Sequence, residues 1–172
     1  MTALAALAAA FAAWVAGCAV PGVLVPEGDL LRDVYLRGSP AVPTVALTFD
    51  DGPNGRCTAA VLDALAETHT PGTFFVLGTN VRAGDNATLL GRMIREGHTI
   101  GVHGDRHRVR PAFLRYLTAE DLDVAVKTID AALRAQGIGD PPPVRFFRPP
   151  FGFVLEPLVR ATTAAHLVIV EW

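Results

Sequence analysis

Val45-Ala46-Leu47-Thr48-Phe49-Asp50-Asp51-Gly52-Pro53 is the stretch on which the reading of this chain turns. Its apolar half predicts a buried strand, because a strand covered on both faces loses the alternation of a half-exposed one. Two adjacent carboxylates and a Gly-Pro turn signal end it. Successive strand side chains point to opposite faces, so Asp50 and Asp51 cannot both enter a core. At the carboxyl end of a strand, both can reach a cleft from different angles. Two carboxylates so close repel one another unless a cation or an arginine stands between them. An isolated Asp-Asp-Gly is by default a solvated turn, and only the later parts of the chain outweigh that reading.

The chain has 172 residues, 51% hydrophobic and 19% charged, which fits one globular domain with a sizeable core. A net charge of -2 gives no electrostatic case for nucleic acid. Two cysteines, Cys18 and Cys57, are too few for a disulfide framework or a thiolate zinc site.

Residues 1–26 carry no charged side chain and are rich in alanine. They predict a signal peptide, a lipoprotein signal or a membrane anchor, and hence an extracellular, periplasmic or membrane-anchored cell-surface protein. Val15-Ala16-Gly17-Cys18 resembles a lipobox, which makes Cys18 a candidate lipidation site. The usual Lys or Arg before the apolar run is missing. An uncleaved Ala-rich helix, about long enough to span a bilayer, is the alternative. Residues 27–43, punctuated by Gly28, Gly38, Pro40 and Pro43, read as a linker, and the domain proper as 44–172.

Within the domain, elements alternate. Thr58 is the predicted N-cap of a helix over 59–67, with Val61, Leu62 and Leu65 on its apolar face. Thr73 to Leu77 reads as a strand ending at Gly78. A helix over about 87–96 follows, stopped by Gly97, and then the strand Thr99 to Val102. Thr118 caps a helix running to about Gln136. Val144 to Arg148, a short helix over 155–165 and Leu167 to Trp172 complete the pattern. Strands alternating with helices imply right-handed βαβ units and a parallel sheet, whose chemistry collects at the carboxyl ends of the strands. Three polar clusters fall at that end: Asp50-Asp51, His103 to His107, and Arg148.

His103 and His107 are spaced i, i+4, which on a helical turn puts both imidazoles on one face. The pair alone is weak, since histidines also cap and pack. With Asp51 as a third donor and an open position, the set reads as a catalytic metal site that suits Zn²⁺, with Co²⁺ or Mn²⁺ fitting the same donors. Asp50, beside such an ion, is placed to act as general base, and Arg148 to orient it by a bidentate contact. Pro149 and Pro150 stiffen the backbone there, so the Phe151 N–H is a candidate donor to an oxyanion. His69 and His98 read as ordinary residues, and Asp105 and Arg106 as loop residues, solvated or paired. A phosphoryl-transfer role for the paired aspartates is disfavoured by the lack of a glycine-rich phosphate loop.

These residues resemble the polysaccharide deacetylases of the NodB-homology group, carbohydrate esterase family 4. Thr48-Phe49-Asp50-Asp51-Gly52-Pro53, His103-Gly104-Asp105-Arg106-His107 and Arg148-Pro149-Pro150-Phe151-Gly152 match three of its motifs in order. Thr73 to Gly78 and Gly97 to Gly101 also fit. The resemblance implies an irregular (β/α) barrel, with Asp51, His103 and His107 as metal ligands, Asp50 as base and Arg148 orienting it. It implies a metal-dependent hydrolase removing N-acetyl groups from an N-acetylglucosamine-containing polysaccharide: a chitin oligomer, peptidoglycan or a biofilm glycan. Two departures stand out. Gly104 replaces a hydroxyl residue that supports the histidine loop. Trp172 resembles the tryptophan of a fourth motif, and no late Leu-x-His motif with its general acid follows, so the barrel reads as truncated before its last strands. An inactive surface glycan- or metal-binding module is therefore the alternative, with an O-acetyl esterase of the same family as another.

Overall fold

The computed structural model describes residues 34–36, 38, 41, 43–107, 118–152, 154 and 156–171. Cys18, the whole of 1–26 and Trp172 lie outside the described residues. Among the described residues, six parallel strands form one sheet: β1 (Val34–Tyr35), β2 (Thr48–Gly52), β3 (Thr73–Val76), β4 (Thr99–Val102), β5 (Phe146–Phe147) and β6 (Val168–Val170). Their spatial order is β1-β6-β5-β4-β3-β2, so β1 and β2 are the edges among the described residues. Between them run α1 (Arg56–Glu67), the short α2 (Gly78–Val81), α3 (Asn86–Arg95), α4 (Ala119–Ala135) and α5 (Glu156–Ala164).

The helices bury one stripe each. Leu62 and Leu65 of α1, Leu90 and Met93 of α3, Leu122, Ala125, Ile129 and Leu133 of α4, and Leu158 and Val159 of α5 join Phe74, Val76, Ile100, Val102, Phe147 and Ile169 of the strands in one core. Leu62, Leu90, Met93, Val76, Val102, Leu122, Ile129, Phe147 and Ile169 have no accessible surface at all. Thr118 caps α4 as expected, and Asp121 returns the bond to the Thr118 N–H in a full capping box.

Four helix ends are closed the same way. After α3, the Gly97 N–H donates to Ile94 O and the His98 N–H to Met93 O, the double bond of a Schellman turn. That turn needs one residue of left-handed backbone, and Gly97 sits at φ 80. Gly137 does the same after α4 at φ 78, whereas His69 (φ 52) and His166 (φ 55) take the position after α1 and α5.

Several expectations are corrected. The run from Val45 is not a two-sided buried strand: Val45 is 88% exposed and Leu47 41%, and β2 starts at Thr48. The neighbouring strand begins at Thr73, whose N–H already reaches Leu47 O, so residues upstream have no β3 partner. Thr58 is not the N-cap of α1; the helix starts at Arg56, and the Thr58 hydroxyl lies inside it, accepting from the Asn54 N–H at 2.8 Å. Gly78 opens α2 and does not merely end a strand. The stretch read as a linker over 27–43 contains β1, with Val34 opposite Ile169 and Tyr35 opposite Val170. Only Phe146 and Phe147 of the run from Val144 to Arg148 pair as strand. Among the described residues, no helix is long and apolar enough to cross a membrane.

The Gly97 position isolates backbone strain, because a Cβ there meets nothing within 4 Å. Gly97→Ala is expected to destabilise the protein by about 1 kcal/mol through the left-handed backbone alone. A urea midpoint equal to that of the parent chain would contradict the turn described.

Candidate active site

The pleat alone would send Asp50 and Asp51 to opposite faces. Instead, β2 is irregular between Phe49 and Gly52, where Asp50 and Asp51 together oppose the single residue Phe75 and one extra residue slips the register against β3. Asp51 adopts φ 62, a conformation that asparagine and aspartate tolerate better than most residues. Asn80 secures it: its side-chain amide donates to Asp51 O at 2.6 Å. Asn86 backs Asn80, donating to Asn80 O at 2.9 Å and to Pro53 O at 3.1 Å. The two neighbouring carboxylates thus diverge at the strand end, one towards the histidine loop and the other towards Arg148.

Asp51 Oδ1 lies 3.7 Å from His103 Nε2 and 3.8 Å from His107 Nε2. The three donor atoms all fall within 4.8 Å of one another. A tetrahedral ion with bonds of about 2.1 Å spaces its ligand atoms about 3.4 Å apart, so the cluster is close to that geometry. The distances are too long for direct hydrogen bonds. His103 is buried, and its Nδ1 stands 2.6 Å from the carbonyl oxygen of Arg148. A carbonyl can only accept, so Nδ1 carries the hydrogen and Nε2 turns its lone pair to Asp51 and His107. Burial lowers the His103 pKa, opposed by this bond and by the nearby aspartates, which keeps the ring neutral as a ligand requires. His107 packs edge-on against the Phe151 ring, with centroids 4.3 Å apart. One carboxylate and two imidazoles on a half-open surface are the donors a catalytic divalent ion takes.

Arg148 organises the other half. Its side chain is 3% exposed. Nη1 donates to Asp50 Oδ1 and to Thr48 Oγ1, both at 2.9 Å. Nε donates to Val170 O and Nη2 to Glu171 O, both at 3.1 Å. The guanidinium also lies 4.2 Å from the centroid of the Phe75 ring. That ring rests against Gly101 of β4, where any Cβ would collide with it.

The structure therefore brings Asp51, His103 and His107 together, sets Arg148 on Asp50, and places Phe151 beside His107. The contact of Arg148 with Asp50 is single, through Nη1, and not bidentate as expected, because the rest of the guanidinium serves β6. The remaining histidines, His69, His98 and His166, precede β3, β4 and β6 and so stand at the amino ends of the strands, away from the site. His98 accepts from the Gly72 N–H at 3.1 Å. Asn80, Asn86 and Glu171 went unnoticed in the sequence. An asparagine two residues into a helix and a glutamate beside a terminal tryptophan carry no motif, and their roles arise only from elements distant in the chain.

Glu171 is 9% exposed, and its Oε1 is buried without a hydrogen-bond partner among the described residues. Burial pushes its carboxyl up to about 7, with Asp50 adding to the rise and Arg148 opposing it. A carboxyl raised above its ordinary value of 4.5 supports the fold fully below that pH, and the support is lost as pH rises through about 7. Glu171→Gln is accordingly expected to raise stability by about 1–2 kcal/mol near pH 8 and to change it little near pH 4. Urea titrations of both proteins at the two pH values would show it, and equal differences at both would refute the assignment.

Comparison with known proteins places this geometry. The chain matches the polysaccharide deacetylase family over residues 37–170. It is 35% identical over 144 residues to a chitooligosaccharide deacetylase of Sinorhizobium fredii, covering 84% of this chain and 63% of that protein. It is 35% identical over 128 residues to a peptidoglycan-N-acetylglucosamine deacetylase of Bacillus cereus, covering 74% of this chain and 43% of that one. The chain thus spans 43–63% of the length of these relatives. Its fold superimposes on a family 4 carbohydrate esterase from Bacillus anthracis with a TM-score of 0.68 at 31% identity, over 84% of this chain and 67% of the other. With the family match over residues 37–170, relatives at 35% identity and a shared fold, the chain belongs to the polysaccharide deacetylase family, carbohydrate esterase family 4.

Proposed function

We propose that this protein is a metal-dependent hydrolase that removes N-acetyl groups from an N-acetylglucosamine-containing polysaccharide. The observation that carries the reading is the convergence of Asp51, His103 and His107 within 4.8 Å, beside an aspartate held by a buried arginine. The relatives named for chitooligosaccharides and for peptidoglycan N-acetylglucosamine share the acetylated amino sugar, which supports that substrate class. Names of peptidoglycan-acting relatives also support an exported protein, in line with the uncharged residues 1–26.

Asp51, His103 and His107 would hold the ion, with Zn²⁺ the best match to the donors and Co²⁺ or Mn²⁺ as substitutes. When bound, a divalent ion supplies Lewis-acid polarisation of the acetyl carbonyl and lowers the pKa of water. Asp50 accepts the proton of the attacking water, and Arg148 keeps its carboxylate from swinging away. The Phe151 N–H offers hydrogen bonding to the developing oxyanion.

A second reading, a glycan- or metal-binding module without turnover, draws on the remaining histidines. All three stand at the amino ends of the strands, so none faces Asp50 to protonate the leaving nitrogen.

Acetate release from chitin oligomers by the Zn²⁺-loaded chain separates the two readings: its absence, with Zn²⁺ bound, selects the module. Asp50→Asn is expected to lower turnover by about 10²–10⁴-fold while leaving Zn²⁺ affinity nearly intact. His103→Ala is expected to lose the metal itself, read by calorimetry. The opposite pattern would mean that the roles of the two neighbouring aspartates are reversed.

A further inference from the structure

Between His103 and His107 the chain crosses Gly104, at φ 98, and Asp105. A five-residue loop with a glycine second has little stiffness of its own, yet it carries two of the three donors. What holds it comes from outside. The Gly78 N–H donates to Gly104 O at 3.1 Å, and the Thr79 N–H to Asp105 O at 2.8 Å. The Asp105 carboxylate is 18% exposed and receives Arg82 Nη2 at 2.6 Å. Arg82 Nη1 in turn donates to Thr128 Oγ1 of α4 at 2.9 Å, which fixes the guanidinium at both ends. The carboxylate also lies directly over Gly78, where any Cβ would collide with it. The absence of a side chain there is what lets Asp105 reach Arg82.

We propose that Arg82 and Asp105 are positioning residues for the metal site: the ion pair clamps the histidine loop to α2 and α4 and so sets the His103–His107 spacing. Exposed ion pairs contribute little to global stability, commonly under about 1 kcal/mol. Loss of this pair therefore acts on the loop and much less on the fold. Outer groups that orient ligands typically change metal affinity by about 10–100-fold. The inference rests on the metal reading given above.

The test uses Co²⁺ with the full chain carrying Arg82→Ala, Asp105→Asn or both. Three readouts are taken: Co²⁺ affinity, the visible absorption band of the saturated protein, and amide exchange at Gly78 and Thr79 without metal. Each single variant is expected to weaken Co²⁺ binding about tenfold, to shift the band and to speed exchange at both amides, with the unfolding midpoint little changed. The double variant is expected to be no worse than either single one, since both remove the same contact. Wild-type affinity, band and exchange in the variants, or losses that simply add, would overturn the clamp and leave the metal reading standing. Failure of the unsubstituted chain to bind Co²⁺ or Zn²⁺ would overturn the metal reading and the clamp with it.

Discussion

The guanidinium of Arg148 is the constraint around which this molecule is arranged. It leaves the end of β5 and bonds to side chains on β2 and to carbonyls after and within β6, while lying over an aromatic ring of β3. Across a flat sheet, three strand spacings would separate β5 from β2 by about 14 Å. Only a sheet curled on itself lets Arg148 Nη1 come within 2.9 Å of Asp50 Oδ1. The contact is therefore a consequence of barrel-like curvature and also a strut that resists its opening. A buried charge with this many partners tolerates no conservative exchange: an ammonium has neither the planar fork nor the reach to serve four acceptors.

The same short segment governs the rest of the site. From residues 148–151 come the guanidinium on Asp50, the carbonyl that fixes the His103 tautomer, and the ring that packs on His107. Asp50 and the Asp51–His103–His107 cluster are thus aligned by one stretch of backbone. The acid at the end of β2 is split in two by a register slip, so that adjacent carboxylates serve separate partners and do not contend for one. Glu171 adds a third carboxyl close to the pair, where burial favours its neutral form and limits the negative charge at the site below about pH 7.

Much of this is legible in the sequence. Strands and helices alternate where periodicity and punctuation put them: Thr99–Val102 matched to the residue, and Thr118 capped its helix as its position before Glu120 and Asp121 suggested. The residues of the site could be named because strand ends of a parallel sheet share one rim, and three polar clusters fell there. What failed was local. Val45 to Leu47 looked buried because hydrophobicity was read without knowing where the neighbouring strand begins. Thr58 looked like a cap because the competing Asn54 turn had no signature. Val34–Tyr35 looked like linker because two residues carry no period, and only β6 beside them makes a strand.

The sequence by itself determined the chemistry on offer: which donors exist, on which strand ends they sit, and that they belong together, since side-chain type and spacing along one element are covalent facts. Only the tertiary structure decided which partner each group would have. Whether Asp50 or Asp51 faces the histidines depends on a bulge and on Asn80. The state of His103 depends on a carbonyl 45 positions away, and the hold on its loop depends on Arg82 and a bare Gly78. Such contacts join residues whose separation along the chain is large, and they form only when the sheet curls and brings distant backbone within a few ångströms.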